Sequence, residues 1–151
     1  MGIMRSLLSL LCLPLLLVFA GCSTPPNQRL DSPAIQVTGL TTAGDGYILA
    51  LRLINPNTVP MVVSHSTHTL YLGEKRIGRI ADAEPIGLPP LGGVPHTVTL
   101  PAAPAAEVRA WFSKNPGDVR ATVESALVIV IGHEDDDITL KSRGAGNVKA
   151  P

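Results

Sequence analysis

The segment from Val119 to Ile131, which begins with alternating apolar and polar residues, constrains this chain more than any other feature. Successive side chains of a β-strand point to opposite faces, so a period of two predicts one long strand here. Its second half, Leu127–Ile131, is apolar at every position, which predicts that both of its faces are covered. The chain is therefore expected to be built around a β-sheet.

Further short strands are predicted between turn signals rich in glycine, proline and asparagine. They cover residues 35–40, 47–54, 59–72 (as one long or two short strands), 76–81, 97–100 and 137–142, and a glycine-rich tail follows. The strand 47–54 has apolar Ile48 and Ile54 on its second face, which predicts a central place in the sheet. The pattern favours an all-β fold, an antiparallel immunoglobulin- or fibronectin-III-like β-sandwich of about seven strands.

One helix is predicted at Ala102–Lys114 and ends at Asn115-Pro116-Gly117. Its apolar residues recur at spacings of three and four and so share one face: Ala105, Val108, Trp111 and Phe112. We expect the helix to cover one open end of the sandwich, with Trp111 and Phe112 as the plug.

The N-terminus predicts export and lipidation. Arg5 precedes the apolar run Leu7–Ala20, which as a helix reaches only about 21 Å and is shorter than the bilayer core. Phe19-Ala20-Gly21-Cys22 resembles a bacterial lipobox, so residues 1–21 are predicted to be a signal peptide rather than an uncleaved membrane segment. Cys22 is the predicted lipid attachment site, and residues 22–33 are a predicted lipidated, flexible tether.

Cysteine and charge restrict the remaining chain. Cys12 leaves with the signal peptide, so no internal disulfide can form. Twelve basic and twelve acidic residues balance, with no basic stripe along the sequence, which argues against nucleic acid as a partner. The protein is expected to attach to the membrane through N-terminal acyl chains rather than through an electrostatic patch. Ser23 after Cys22 favours the outer membrane, facing the periplasm.

A family resemblance rests on Leu53-Ile54-Asn55-Pro56-Asn57, Pro60, Leu70-Tyr71-Leu72-Gly73, Ile77-Gly78 and Leu88-Pro89-Pro90-Leu91-Gly92. Over residues 34–148 the chain resembles the type 2 late embryogenesis abundant (LEA) family, also called the water stress and hypersensitive response (WHy) domain. The resemblance implies a sandwich of about seven strands plus one helix and a role in desiccation tolerance. It implies no catalytic residues and no cofactor. Asn55, Pro56 and Asn57 carry over as a structural signature.

No motif for chemistry is evident. His65 and His68 lie three apart, so in a strand their rings point to opposite faces and do not share a metal ion. Glu134–Asp137 could hold calcium or meet a basic partner, although four consecutive acids are more typical of a solvated hairpin tip. Ser64, Ser66, Ser113 and Ser125 lack a nucleophile motif. We therefore predict that the protein is not an enzyme and has no metal site.

The resulting hypothesis is a non-enzymatic envelope lipoprotein that protects membrane or client proteins during water loss. One alternative is a carrier or sensor of small apolar ligands, with a cavity beside Trp111. Another is a structural adaptor in an envelope complex, with Asp135–Asp137 or an exposed strand edge as the contact.

Overall fold

A computed structural model describes residues 29–130 and 137–150 of the chain. The expectations for residues 1–21, Cys22, most of the tether and the turn before Asp137 lie outside these residues. The strands are β1 (Ala34–Ala43), β2 (Gly46–Ile54), β3 (Met61–Leu72), β4 (Lys75–Asp82), β5 (Ile86–Leu88), β6 (Gly93–Thr99), β7 (Val119–Val130) and β8 (Asp137–Val148), and the helix is α1 (Ala102–Lys114). No helix in these ranges is long and apolar enough to cross a membrane.

The strands form one curled sheet in the order β4-β3-β7-β8-β1-β2-β6, with β5 paired to β3. This confirms an all-β, sandwich-like fold with one helix among the described residues. It also confirms that β2, which lies between β1 and β6, is not an edge strand. The expectation of a purely antiparallel sandwich is wrong at one position. Ile35 and Gln36 of β1 pair in parallel with Gly144 and Ala145 of β8, which makes the sheet mixed.

The core lies on the inner face of this curled sheet. In β2, Tyr47, Leu49, Leu51 and Leu53 are buried, as their alternation predicts. In β7 the buried residues are Ala121, Val123, Ser125, Leu127 and Ile129. All buried apolar side chains in the described ranges lie between Ile35 and Val148. A chain that begins at Ser23 therefore contains this entire core.

The last strand is longer than predicted. The tail after Ser142, expected to be irregular, continues as β8 to Val148. A Cβ on Gly144 or Gly146 would overlap the carbonyl oxygen of Ile35 or Val37, respectively. The glycines therefore allow the backbones of β1 and β8 to approach each other closely, and they do not mark a loose tail.

The segment between β4 and β6 also differs from the prediction. Residues 86–88 form β5, and β6 begins at Gly93 rather than at Thr97. The turn is therefore confined to residues 89–92, where Gly92 donates its N–H to the carbonyl of Pro89 at 3.2 Å and Leu91 has a φ of 50°. Val94 and His96 take their places in the strand as partners of Leu53 and Leu51.

Helix α1 has the predicted bounds but buries a different part of its surface. Its buried residues are Pro104, Ala105 and Val108, whereas Trp111 and Phe112 are half-buried. The two aromatic rings contact each other edge to face, with centroids 5.0 Å apart. Both rings pack against the core but remain partly exposed, so the predicted plug is incomplete. The helix packs on β4 through its first half, where Pro104 fills the space above Gly78.

The apolar end of β7 is covered on one side. Leu127 and Ile129 are buried, but Val130 is 39% exposed and lies beside Val62 of β3, which is 47% exposed. The expectation that both faces are covered is wrong because, in the described ranges, no second layer packs on the outer face of β3 and β7. Two valines consequently face solvent on that surface.

Candidate functional site

A polar cluster lies inside the otherwise apolar core. Ser66 and His68 point inward from β3, and Ser125 points inward from β7. The Nε2 atom of His68 lies 2.8 Å from the Ser66 hydroxyl, and its Nδ1 lies 2.7 Å from the Ser125 hydroxyl. His68 is fully buried. Since a neutral imidazole has one donor and one acceptor nitrogen, one serine donates to the ring and the other accepts from it.

Burial sets the protonation state of this cluster. Desolvation lowers the pKa of His68 from 6.5 to about 4; the carboxylate of Asp82 opposes this shift and His96 adds to it. Asp82 and His96 form a second polar pair, in which Nε2 of His96 lies 2.5 Å from a carboxylate oxygen of Asp82. Every buried side-chain nitrogen and oxygen in the described residues has a hydrogen-bond partner.

A serine next to a histidine has the composition of a nucleophile pair, but this arrangement does not reach a substrate. Ser66 and Ser125 are 3% and 5% exposed, and their hydroxyls are engaged with His68. His65 is exposed on the opposite face, as the strand period predicts. No group of three or more metal-ligating side chains occurs in the ranges 29–130 and 137–150. The cluster therefore holds β3 and β7 together from within the core.

The loop at Asn55-Pro56-Asn57 is organised around one buried amide. Asn55 is fully buried, and its Nδ2 donates to the carbonyls of Val59 at 2.8 Å and Leu88 at 3.3 Å. Its Oδ1 accepts from the backbone N–H and from the side-chain Nδ2 of Asn57, both at 2.9 Å. The Asn55 side chain thereby connects the end of β2, the start of β3 and β5.

Asn57 extends this network to the N-terminal segment. Its Nδ2 donates to the Asp31 carbonyl and its Oδ1 accepts from the Asp31 N–H, both at 2.9 Å. The asparagine side chain thus pairs with the Asp31 backbone as a neighbouring strand would. The segment entering the domain is consequently fixed at the loop between β2 and β3.

The outer face of the sheet carries a broad, shallow groove of about 570 Å³. It crosses the four neighbouring strands β4, β3, β7 and β8. Its lining residues are Thr67, Thr69, Arg76, Arg79, Glu124, Ser125, Ala126, Lys141, Ser142 and Arg143. We define the cationic groove by its four basic residues, Arg76, Arg79, Lys141 and Arg143.

The charges of this groove are unbalanced although the whole chain is neutral. Among the described lining residues the one carboxylate is Glu124, which lies 3.8 Å from Nε of Arg143 and accepts a hydrogen bond from the Tyr71 hydroxyl at 3.2 Å. Nη2 of Arg79 lies 3.5 Å from the Thr67 hydroxyl. Within the described part of the chain, Arg76, Arg79 and Lys141 have no carboxylate within 4 Å.

The cationic groove is not predicted by the sequence pattern. No basic stripe runs along the sequence, but the sheet places Arg76 and Arg79 of β4 and Lys141 and Arg143 of β8 on one face. The available signal was local: Lys141 and Arg143 are two apart and therefore share a face of one strand. Chemically, exposed guanidinium and ammonium groups between threonine hydroxyls are suited to bind anions.

Several solved structures are similar to this chain at low sequence identity. AT1g01470 from Arabidopsis thaliana is similar over 80% of this chain and 83% of its own, with 16% identity and a TM-score of 0.51. A candidate late embryogenesis abundant (LEA) protein is similar over 97% of this chain and 85% of its own, with 20% identity and a TM-score of 0.47. A protein from Archaeoglobus fulgidus is similar over 79% of this chain and 95% of its own, with 16% identity and a TM-score of 0.47. The similarity to AT1g01470 supports the fold alone.

No family model matches the chain. No curated protein matches it by sequence either. What the fold and the site define is a small all-β domain with a closed, fully hydrogen-bonded core and a cationic outer face.

Proposed function

We propose that this protein is a non-enzymatic lipoprotein of the bacterial envelope, of the LEA type 2 (WHy) kind, which protects membranes or proteins during water loss. The observation that carries the non-enzymatic part is the closed core. The histidine and serines that could do chemistry, His68, Ser66 and Ser125, are buried and bonded to one another. In the described part of the chain, the outer surface of the sheet remains accessible to a partner.

The lipoprotein part is supported by the N-terminal sequence. An apolar run closed by Ala20-Gly21-Cys22 resembles a lipobox, and a polar, proline-containing segment follows it. In this proposal acyl chains on Cys22 anchor the protein to the outer membrane, facing the periplasm. Two or more acyl chains hold a protein stably on a bilayer, whereas one binds reversibly.

The protective part is supported by the resemblance of residues 53–57, 70–73 and 88–92 to the LEA type 2 family, and by a fold of the same kind. The mechanism is physical. A stable domain held close to the bilayer occupies surfaces that would otherwise fuse or aggregate as water is withdrawn. Anchoring raises its local concentration there without any new contact.

A drying experiment tests the protective part. The chain from Ser23 is mixed with an aggregation-prone enzyme, dried and rehydrated, and the recovered enzyme activity is compared with that in an equal mass of an inert small β-protein. We expect recovery clearly above this control at or below one domain per client. Recovery equal to the control would contradict direct protection of proteins.

Mass spectrometry and membrane fractionation test the anchor. The full-length protein expressed in a bacterium should carry an acyl mass increment and sediment with membranes. The Cys22→Ala variant should lose both. Retention of the wild-type mass and membrane association by the variant would contradict the lipoprotein assignment.

A further inference from the structure

We propose that the outer face of β4, β3, β7 and β8 is a membrane-docking surface that binds the headgroups of anionic phospholipids. This inference deepens the proposed function and rests on it for the presence of a bilayer nearby. It is carried by two features of the same sheet face, the cationic groove and an adjoining pair of exposed valines.

The first feature is charge complementarity. The described residues that line the groove include four cations and one carboxylate, and that carboxylate already has Arg143 and Tyr71 as partners. The cations come from β4 and β8, with β3 and β7 between them. Neighbouring strands lie about 4.8 Å apart, so the positive charges are spread over roughly 15 Å. Such spacing fits several separate phosphates on a surface better than one small enclosed anion.

The second feature is the apolar end of this face. Val62 of β3 and Val130 of β7 are paired across the strands and are 47% and 39% exposed. Val128, two residues before Val130, faces the same side and is partly buried. Ala126, which lines the groove, lies two residues before Val128 on the same face of β7 and pairs with Lys141 of β8. Apolar side chains beside basic ones on one exposed face are typical of surfaces that enter the interface of a bilayer.

The register of the strands places the two features in order along the face. In the β3–β7 pairing, Val62 meets Val130, Thr67 meets Ala126 and Thr69 meets Glu124. The valines therefore occupy one end and the cationic groove the middle. Asp137 lies at the valine end, opposite Val130. Docking would place the valines at the level of the headgroups, with the arginines and Lys141 against the phosphates.

Acyl chains on Cys22 would be compatible with docking of this sheet face on the bilayer. The entering chain is fixed at Asp31 by Asn57, beside the start of β3. From Cys22 to Arg29 an extended chain reaches at most about 25 Å. The domain is therefore held close enough to the bilayer for a sheet face to lie on it, and electrostatic attraction acts over about a Debye length, roughly 8 Å at physiological salt.

Vesicle sedimentation with the unacylated chain from Ser23 tests the proposal without the anchor. Phosphatidylcholine vesicles with and without phosphatidylglycerol are compared at low, physiological and high salt. We expect binding to the anionic vesicles alone, weakening as salt rises. The groove variant Arg79→Gln/Lys141→Gln/Arg143→Gln should bind at least about tenfold more weakly, since each basic residue contributes measurably to binding at an anionic surface.

A matched variant separates the groove from net charge. Arg29→Gln/Arg52→Gln/Lys114→Gln removes the same charge from exposed residues outside the groove and should bind like the parent chain. A second variant, Val62→Thr/Val130→Thr, keeps side-chain size and should weaken the binding that persists at high salt. Circular dichroism and thermal unfolding establish that each variant is folded.

Three results would overturn the proposal: no binding to anionic vesicles, equal binding to neutral vesicles, or equal losses in the groove and matched variants. These outcomes are distinct from failure of the proposed function. A protein that binds vesicles but gives no recovery after drying contradicts protection and leaves docking intact. A protein that gives recovery after drying but does not bind vesicles contradicts docking and leaves protection intact.

Discussion

The carbonyl oxygen of Val37 in β1 lies where any side chain on Gly146 of β8 would have to project. The same relationship joins Ile35 and Gly144 two residues earlier. Because the obstacle is backbone rather than the end of a flexible side chain, it cannot move aside without breaking the contact between the strands. The junction of the first and last strands therefore depends on two glycines.

Replacement of Gly146 tests this dependence. We expect Gly146→Ala to lower the free energy of unfolding by at least about 2 kcal/mol, because an added methyl in a filled space forces backbone shifts. Gly87→Ala is the matched control, since a Cβ there meets nothing within 4 Å. Urea unfolding of both variants measures the difference. Similar stabilities for the two variants would contradict the close approach of β1 and β8.

The strands and the helix could be predicted because local periodicity encodes them. The alternation at Val119–Val130 and the end of the helix at Asn115 depend on nearby residues alone. The parallel contact of Ile35 with Gly144 could not be predicted, because it joins distant segments and its only sequence trace is two glycines that also suit a flexible tail. The cationic groove could not be predicted for the same reason: Arg79 and Lys141 share a sheet face only because β3 and β7 lie between their strands.

Stability should depend on pH through His68. Its pKa is lowered to about 4 in the folded protein, against 6.5 unfolded, so the unfolded state binds the proton first as the pH falls. The contribution of neutral His68 to the free energy of unfolding is complete above about pH 6.5 and is lost progressively as the pH falls towards 4. The total loss is about 3 kcal/mol at 1.36 kcal/mol per pKa unit. Urea unfolding at several pH values measures it.

Direct titration of His68 provides the control for this assignment. The imidazole carbon-bound protons followed by NMR should titrate near pH 4 for His68, and His68→Gln should remove that part of the pH dependence of unfolding. A His68 resonance that titrates near pH 6.5 in the folded protein would contradict the burial of a neutral ring.

Asn55 should be among the most sensitive polar positions. Asn55→Ala removes both acceptor and donor atoms and leaves the buried carbonyl of Leu88 and the N–H of Asn57 without these partners. Each unsatisfied buried group costs on the order of 1–3 kcal/mol, so we expect a loss of about 3 kcal/mol. Asn115→Ala, an exposed asparagine at the end of α1, should cost less than about 1 kcal/mol. Thermal and urea unfolding compare them.

Asn57 should act locally instead. Asn57→Ala removes the two hydrogen bonds that hold Asp31. We expect the amide of Asp31 to exchange with deuterium at least about tenfold faster, since opening of the segment then costs less free energy. Amides in the middle of β7 should keep their protection. Unchanged exchange at Asp31 would show that the entering segment is held by other contacts.

The place of β8 between β7 and β1 has a consequence for how the chain acquires its structure. Without β8, the sheet is two separate groups, β4-β3-β7 with β5 and β1-β2-β6. A polypeptide that emerges from a ribosome or an export channel begins with its N-terminus, so β1 can pair with β2 early, but its other edge waits for β8, which arrives last. Such distant pairings fold slowly because the chain must first be closed over its whole length. We therefore expect the sheet to remain incomplete until residues 144–148 are available to join its two halves.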